Sequence, residues 1–229
     1  MRKLKAILKS LKGSHPRLYY LLLNAWYRRL FRTNTKKITG KRNKINRRGA
    51  ILNGVNFDIR GDENIITIGS LAVLEGVTFH IRGNRNRILI GAECKIAGST
   101  IWIEDNRCEV RIGRQTTVGG MHLAATEDES RVVIGDDCML AYGIDIRTGD
   151  SHAIYEQTGN RVNKAQDVVI GSHVWIAAHT IVLKGATIGA GSVVAAGAVV
   201  PRGIYPENCI LAGNPAKSVK HGIHWSRLR

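Results

Sequence analysis

Long apolar runs are missing from this chain. A helix that spans a bilayer needs about 20 apolar residues, and the most apolar stretch, Leu18 to Phe31, is broken by Asn24, Arg28 and Arg29. That excludes a transmembrane helix. Nor is a secretory signal expected, because the uninterrupted apolar segment is brief and no small-residue cleavage site follows it. Cysteine is scarce: Cys94, Cys108, Cys138 and Cys209 show no CxxC spacing and read as buried spacers in a reducing cytosol, with no metal site expected. Acidic residues are absent from residues 1–57, which hold 16 Lys or Arg, whereas residues 58–229 carry 18 of each sign. The net charge of +16 therefore belongs to the leader, and the body of the chain is neutral.

What the body does have is rhythm. Ile68, Ile90, Ile112 and Ile134 stand 22 residues apart, each followed by glycine. A six-residue beat then takes over: Ile170, Ile176, Val182, Ile188, Val194, Val200, with Val174, Thr180, Ala186, Ser192, Ala198 and Ile204 four places after each. Six is three strand repeats, so one aliphatic residue recurs in the same orientation while its neighbours alternate outward, a register that a helix cannot keep. The simplest object with this property is a triangular prism of short parallel strands, one turn per three hexads, stacked as a solenoid. Glycine is expected at turns needing unusual backbone angles, at Gly91, Gly113, Gly135, Gly171 and Gly189. The 22-residue repeat reads as three hexads plus four residues at one polar corner: 61–64, 83–86, 105–108 and 127–130. The 36-residue interval from Ile134 to Ile170 corresponds to two turns of 18, one of them irregular, because residues 147–167 lack the aliphatic beat. Such an excursion on a rigid scaffold is a common way to mount function. The expected organisation is a basic leader over 1–50, a solenoid over 51–211 with its loop at 147–167, and a C-terminal cap over 212–229.

Within the leader, Leu4, Ile7, Leu8 and Leu11 form a helical face opposite Arg2, Lys5, Lys9 and Lys12. Gly13 to Pro16 breaks it, and a second amphipathic helix is expected over 16–32, with Arg17, Asn24, Arg28 and Arg32 on its polar stripe. Two roles stay open for residues 1–33. They can lie on an anionic membrane surface, or pack as an arm on the solenoid or a neighbouring subunit. Nucleic acid is not an expected partner, since a basic stretch alone is weakly informative.

The block Asp167-Val-Val-Ile-Gly-Ser-His-Val-Trp-Ile176, the hexads after it, and Ala212-Gly-Asn-Pro-Ala-Lys217 resemble the hexapeptide-repeat acyltransferases. The likeness is to the nodulation, galactoside and maltose acetyltransferases and to the O-acetyltransferases of capsular and lipid-linked polysaccharides. The resemblance implies a left-handed parallel β-helix, a homotrimer, acetyl-CoA as co-substrate, and active sites in clefts between subunits. The handedness comes from the resemblance alone, since ordinary parallel crossovers favour the right hand.

Acetyl transfer to a sugar hydroxyl requires a base, because a hydroxyl is a poor nucleophile at neutral pH. Histidine in general serves well there. His152 opens the irregular loop where the family keeps its catalytic histidine. Asp150, two residues earlier, is a candidate to orient the ring, although a backbone carbonyl could do the same. Trp175 matches a tryptophan that shapes the acetyl pocket in similar enzymes. By resemblance Ala178 and Ala196 line the pantetheine groove, and Arg202, Lys217 and Lys220 are the cations for the CoA phosphates, Pro201 replacing a frequent threonine. His122 is a candidate acceptor contact, although the family's polar residue is not matched there, and the acidic run 127–129 lies near.

The expected activity is O-acetylation of a sugar hydroxyl on a cell-surface polysaccharide or its lipid-linked precursor. The expected place is the cytoplasm, on the inner face of the plasma membrane. Three other classes stay open: a soluble sugar or sugar-nucleotide N-acetyltransferase, a non-catalytic solenoid binding module, and a zinc hydratase using His173 and His179, for which no third histidine is evident.

Overall fold

The computed structural model describes residues 34–47 and 49–228, together with Ser14, His15, Leu18, Tyr19 and Leu22. Most of the leader, and with it the two expected helices and the membrane contact of residues 1–33, lies outside the described residues. Ser14, Leu18, Tyr19 and Leu22 are helical, and the Tyr19 N–H donates to the His15 carbonyl at 3.0 Å.

From Thr35 onward the chain is a parallel β-solenoid of about eight turns. Each turn contributes one strand to each of three sheets. Face A runs from Thr35–Thr39 to Val199–Val200, face B from Lys44–Arg47 to Gly203–Tyr205, and face C from Ile51–Asn53 to Cys209–Gly213, closed by Ala216–His221. All pairings between successive turns are parallel; the last, Cys209–Gly213 with Ala216–His221, is antiparallel and ends the stack as a hairpin. The aliphatic beat points inward as expected. Ile68, Ile90, Ile112, Ile134, Ile170 and Ile188 form one buried column in face B, and Phe57 stacks on Phe79 at 5.1 Å inside face A.

The four extra residues of the 22-residue repeat fall at the A–B corner, between face A strands of five residues and face B strands of four. The corner is stitched internally by a ladder of buried polar side chains. Asn64 accepts from the Asn86 N–H at 3.0 Å, and Asn86 accepts from the Cys108 N–H at 2.8 Å. Farther along the same column Ser130 takes the corresponding position, and Thr148, just after the face A strand Ile144–Arg147, donates its hydroxyl to Ser130 Oγ at 3.3 Å. All four cysteines are free and buried, and burial pushes the thiols of Cys94 and Cys138 up to about 11.

Four expectations need correction. Among the described residues the solenoid begins at Thr35, well before residue 51; its first turn shows just Ile38 and Ile45 of the aliphatic beat, so the sequence does not mark it. The 36-residue interval is one turn, since Ile134 pairs directly with Ile170; the additional residues leave the prism altogether. Gly91, Gly113, Gly135, Gly171 and Gly189 do not occupy the left-handed region. They are needed for stacking: a Cβ at Gly135 would stand 2.5 Å from Ser172 N, and one at Gly171 2.6 Å from Ala190 N, on the next turn. Lastly, Val174, Thr180, Ala186, Ser192 and Ala198 are buried but Ile204 is 88% exposed, because the final turn is one residue short and Gly203 takes the place opposite Ala186.

Candidate active site

The break in the prism is a loop that leaves face A after Ile144–Arg147 and rejoins face B at Val168–Ile170. Its neck is fixed by Thr148, fully buried, whose N–H donates to the Ala124 carbonyl at 3.0 Å and whose carbonyl accepts from Gln166 at 2.9 Å. Beyond the neck the chain makes a small hairpin, with Tyr155 bridged to Arg161 and the Val162 N–H donating to the Ile154 carbonyl at 2.9 Å. Arg161 ties this hairpin back to Glu127 on the prism at 3.1 Å. The remaining acids of that run, Asp128 and Glu129, pair with Arg107.

Asn163 is the hub of the loop, 6% exposed. Its amide donates to Asp150 Oδ2 at 3.0 Å and to the His152 carbonyl at 2.7 Å, and its own Oδ1 accepts from the Ile154 N–H at 2.7 Å. Lys184, from the next turn, donates to Asp150 and, at 2.9 Å, to the Asn163 carbonyl. The His152 N–H is bound to the Asp150 carbonyl at 2.8 Å. The histidine backbone is thus held on both sides, and Ser151 before it takes φ 66°, a region a non-glycine residue enters only when its surroundings impose it. The His152 side chain is exposed on the protomer, and its ring makes no hydrogen bond to any described residue. Partial burial alone would raise the Asp150 carboxyl. The hydrogen bonds from Lys184 and Asn163 outweigh it and keep the group below its ordinary value, so that it stays an anion. Asp150 spends these contacts on the loop, and within the chain it makes none to the imidazole.

Trp175 stands on face C, 36% exposed, with the ring of Trp225 6.1 Å away. Trp225 belongs to the tail that returns across the prism. It stacks on His173 at 4.1 Å and donates to the His173 carbonyl at 2.8 Å, while Arg227 reaches Asp137 at 3.0 Å and Thr117 at 2.9 Å. His173 is thereby occupied as a structural partner, with Asp137 at 2.7 Å.

Ala178 and Ala196 occupy one corner, between faces C and A, on successive turns, with the Gly197 N–H donating to the Ala178 carbonyl at 2.9 Å. Lys217 and Lys220 lie exposed on the closing strand of face C. Arg202 stands at the A–B corner instead, its side chain beside Gly185. A single chain therefore brings Trp175, Ala178, Ala196, Lys217 and Lys220 to one side of the prism and His152, Asp150 and Arg202 to another. His122 is on face A, its Nδ1 4.0 Å from Asp145 Oδ2. It lines a hollow with Trp102, Glu104, Ala124, Thr126, Arg147, Gly149 and Ser151. Sequence reading missed Trp102, although a signal was present: it alternates outward between Ile101 and Ile103. It missed Asn163, Lys184 and Trp225 as well, because their partners are fixed only by the path of the loop and the tail.

Residues 167–202 match the family described as bacterial transferase hexapeptide (six repeats). Over 101 residues the chain is 46% identical to the polysialic acid O-acetyltransferase of Neisseria meningitidis and 44% identical to that of Escherichia coli O1:K1 / APEC. Each match covers 44% of this chain, but only 47% and 33% of those relatives, so the chain spans less than half of their length. The solved structure of the polysialic acid O-acetyltransferase OatWY matches 86% of this chain and 92% of its own, at 31% identity and a TM-score of 0.78. The chain belongs to the bacterial hexapeptide-repeat transferases. As in the sequence of this hexapeptide-repeat transferase, the strict hexads coincide with the matched residues 167–202, directly after the loop that carries His152.

Proposed function

We propose that this chain is an O-acetyltransferase that moves acetyl from acetyl-CoA to a hydroxyl of a cell-surface polysaccharide. The observation that carries the reading is the loop: one turn in an otherwise regular solenoid is opened, and its anchors hold the backbone of His152 while leaving its ring exposed and unbonded to any described residue. The likeness to proteins named as polysialic acid O-acetyltransferases supports the acceptor class and makes polysialic acid the first acceptor to test.

Members of the family are generally trimers, and we propose the same here. The distribution of residues within one chain supports it, since His152 and Trp175 lie on different sides of the prism and would meet only across a boundary between copies. The C–A corner fits a pantetheine arm, because Ala178 and Ala196 are small and the space beside Gly197 is open where a Cβ would stand. Lys217 and Lys220 supply exposed cations for the phosphates. Acetyl-CoA, when bound, supplies an activated acyl thioester. His152 accepts the proton of the acceptor hydroxyl as the C–O bond forms, and returns it to the departing thiolate as the C–S bond breaks. Trp175 packs beside the acetyl group, and Asp150, fixed by Lys184, positions the histidine backbone. Residues 1–33 would hold the enzyme at the anionic cytoplasmic face of the membrane.

The experiment is incubation with labelled acetyl-CoA and either polysialic acid or the lipid-linked glycans of the host envelope, followed by mild hydroxylamine. Label on the glycan that hydroxylamine releases supports an ester. Label that survives would mean N-acetylation, and absence of label on every glycan would overturn the reading. Deleting residues 1–33 should slow transfer to lipid-linked acceptors only; equal loss on soluble glycan would remove the membrane role.

A further inference from the structure

The outward residues of face A include a column that the reaction does not use. Lys37, Asp58, His80, Trp102, Ala124 and Arg147 lie in register on successive strands. Trp102 stacks on His80 with centroids 3.7 Å apart and planes at 14°. His80 is backed by Asp58, 3.5 Å from its Nδ1, and Asp58 is bound by Arg82 at 2.6 Å. One face of the indole is therefore covered and its orientation fixed from below. The strand above carries alanine in the same column, and the one above that carries Arg147, whose guanidinium is held by Asp145 at 2.9 Å. Adjacent strands are about 4.8 Å apart, so omitting one large side chain leaves a slot about one ring thick, with indole below, guanidinium above and Ala124 as its floor. The structure shows a hollow of about 220 Å³ there, flanked by His122 on one side and by Glu104 and Thr126 on the other. This is smaller than the roughly 300–1,000 Å³ of pockets for drug-sized ligands, and suits a single ring.

Gly149 and Ser151, the residues leading into His152, form the upper rim of the same hollow. We propose that the slot is a glycan subsite: it takes one pyranose ring of the acceptor chain, next along the polymer from the sugar being acetylated. The C–H face of the ring packs on Trp102, and its hydroxyls meet His122, Glu104 and Arg147. A flat slot beside a cation would also accept an adenine, but the alanine corner and Lys217 and Lys220 assigned to CoA lie on another side of the prism. The subsite rests on the polysaccharide reading above and deepens it, giving the enzyme a preference for polymer over free sugar.

The test uses full-length protein and two outward-facing variants, Trp102→Ala, which removes the platform, and Ala124→Leu, which fills the slot. Binding of a sialic acid oligomer is measured by calorimetry without acetyl-CoA, and KM is measured for oligomer, for free sialic acid and for acetyl-CoA. Expected are a loss of about tenfold or more in oligomer affinity in both variants, a matching rise in its KM, and an unchanged KM for acetyl-CoA. Unchanged oligomer affinity in a folded variant would overturn the subsite, as would a rise in KM confined to acetyl-CoA. Dissociation of the oligomeric protein in both variants would overturn it too, because the face would then be a subunit contact. Wild-type protein that binds the oligomer through Trp102 without acetylating it would leave the subsite standing and remove the enzymatic reading.

Discussion

His152→Ala should lower turnover by about 10²–10⁴-fold, the usual contribution of a positioned general base, while leaving thermal stability and assembly as in the wild type. The structural argument for a selective effect is that His152 contributes to the loop only through its backbone. Its N–H is bound to the Asp150 carbonyl at 2.8 Å and its carbonyl accepts from Asn163 at 2.7 Å, and alanine retains both. The ring itself is exposed and makes no hydrogen bond to any described residue, so its removal opens no cavity among them. Single-turnover transfer from acetyl-CoA, measured with the melting curve of the same preparation, separates the two effects. A folded His152→Ala protein with more than a tenth of wild-type turnover would contradict the assignment of the base.

Asn86→Leu should be strongly destabilising. Asn86 is fully buried, and each end of its amide serves a backbone group: Nδ2 donates to the Asp105 carbonyl at 3.0 Å and Oδ1 accepts from the Cys108 N–H at 2.8 Å. Leucine is similar in size but leaves both groups unpaired away from water, at a cost of about 1–3 kcal/mol each, or about 2–6 kcal/mol together. Because a solenoid is stabilised turn by turn through its neighbours, the loss should be local. Amide exchange should accelerate in the turns before residue 86 and at the corner 105–108, and much less in the turns after Val168. Asn86→Ser should lose less, since serine keeps a hydroxyl and the same column holds Ser130 naturally. Uniform exchange rates in Asn86→Leu and wild type would show that the ladder contributes little.

The prism itself was legible because parallel stacking forces each turn to repeat the orientation of the last, so Ile68, Ile90, Ile112 and Ile134 announce their column by spacing alone. The polar corners were legible for the same reason. What spacing could not give was the reason for the glycines, since a glycine that avoids a clash with the next turn and one that needs a positive φ look alike in sequence. Nor could it separate two turns of 18 from one turn of 36, because both restore the register. His152 and Trp175 were candidates on resemblance, His152 also by its place at the start of the break. Asn163, Lys184 and Trp225 were not, because their roles depend on where an aperiodic loop and tail return. Trp102 is marked only by the outward column, where His80, Trp102 and Ala124 repeat at the same 22-residue spacing but share no side-chain type.

On the proposed reading, one reaction centre is built from two copies of the chain, His152 from one and Trp175 from the next. Co-assembly of His152→Ala chains with Trp175→Ala chains tests it most directly. In randomly mixed rings of three, about one site in four would pair an intact histidine with an intact tryptophan, so the mixture should recover up to roughly a quarter of wild-type acetyl transfer while each variant alone stays near zero. A verified mixed assembly no more active than its two components would contradict a site shared between subunits.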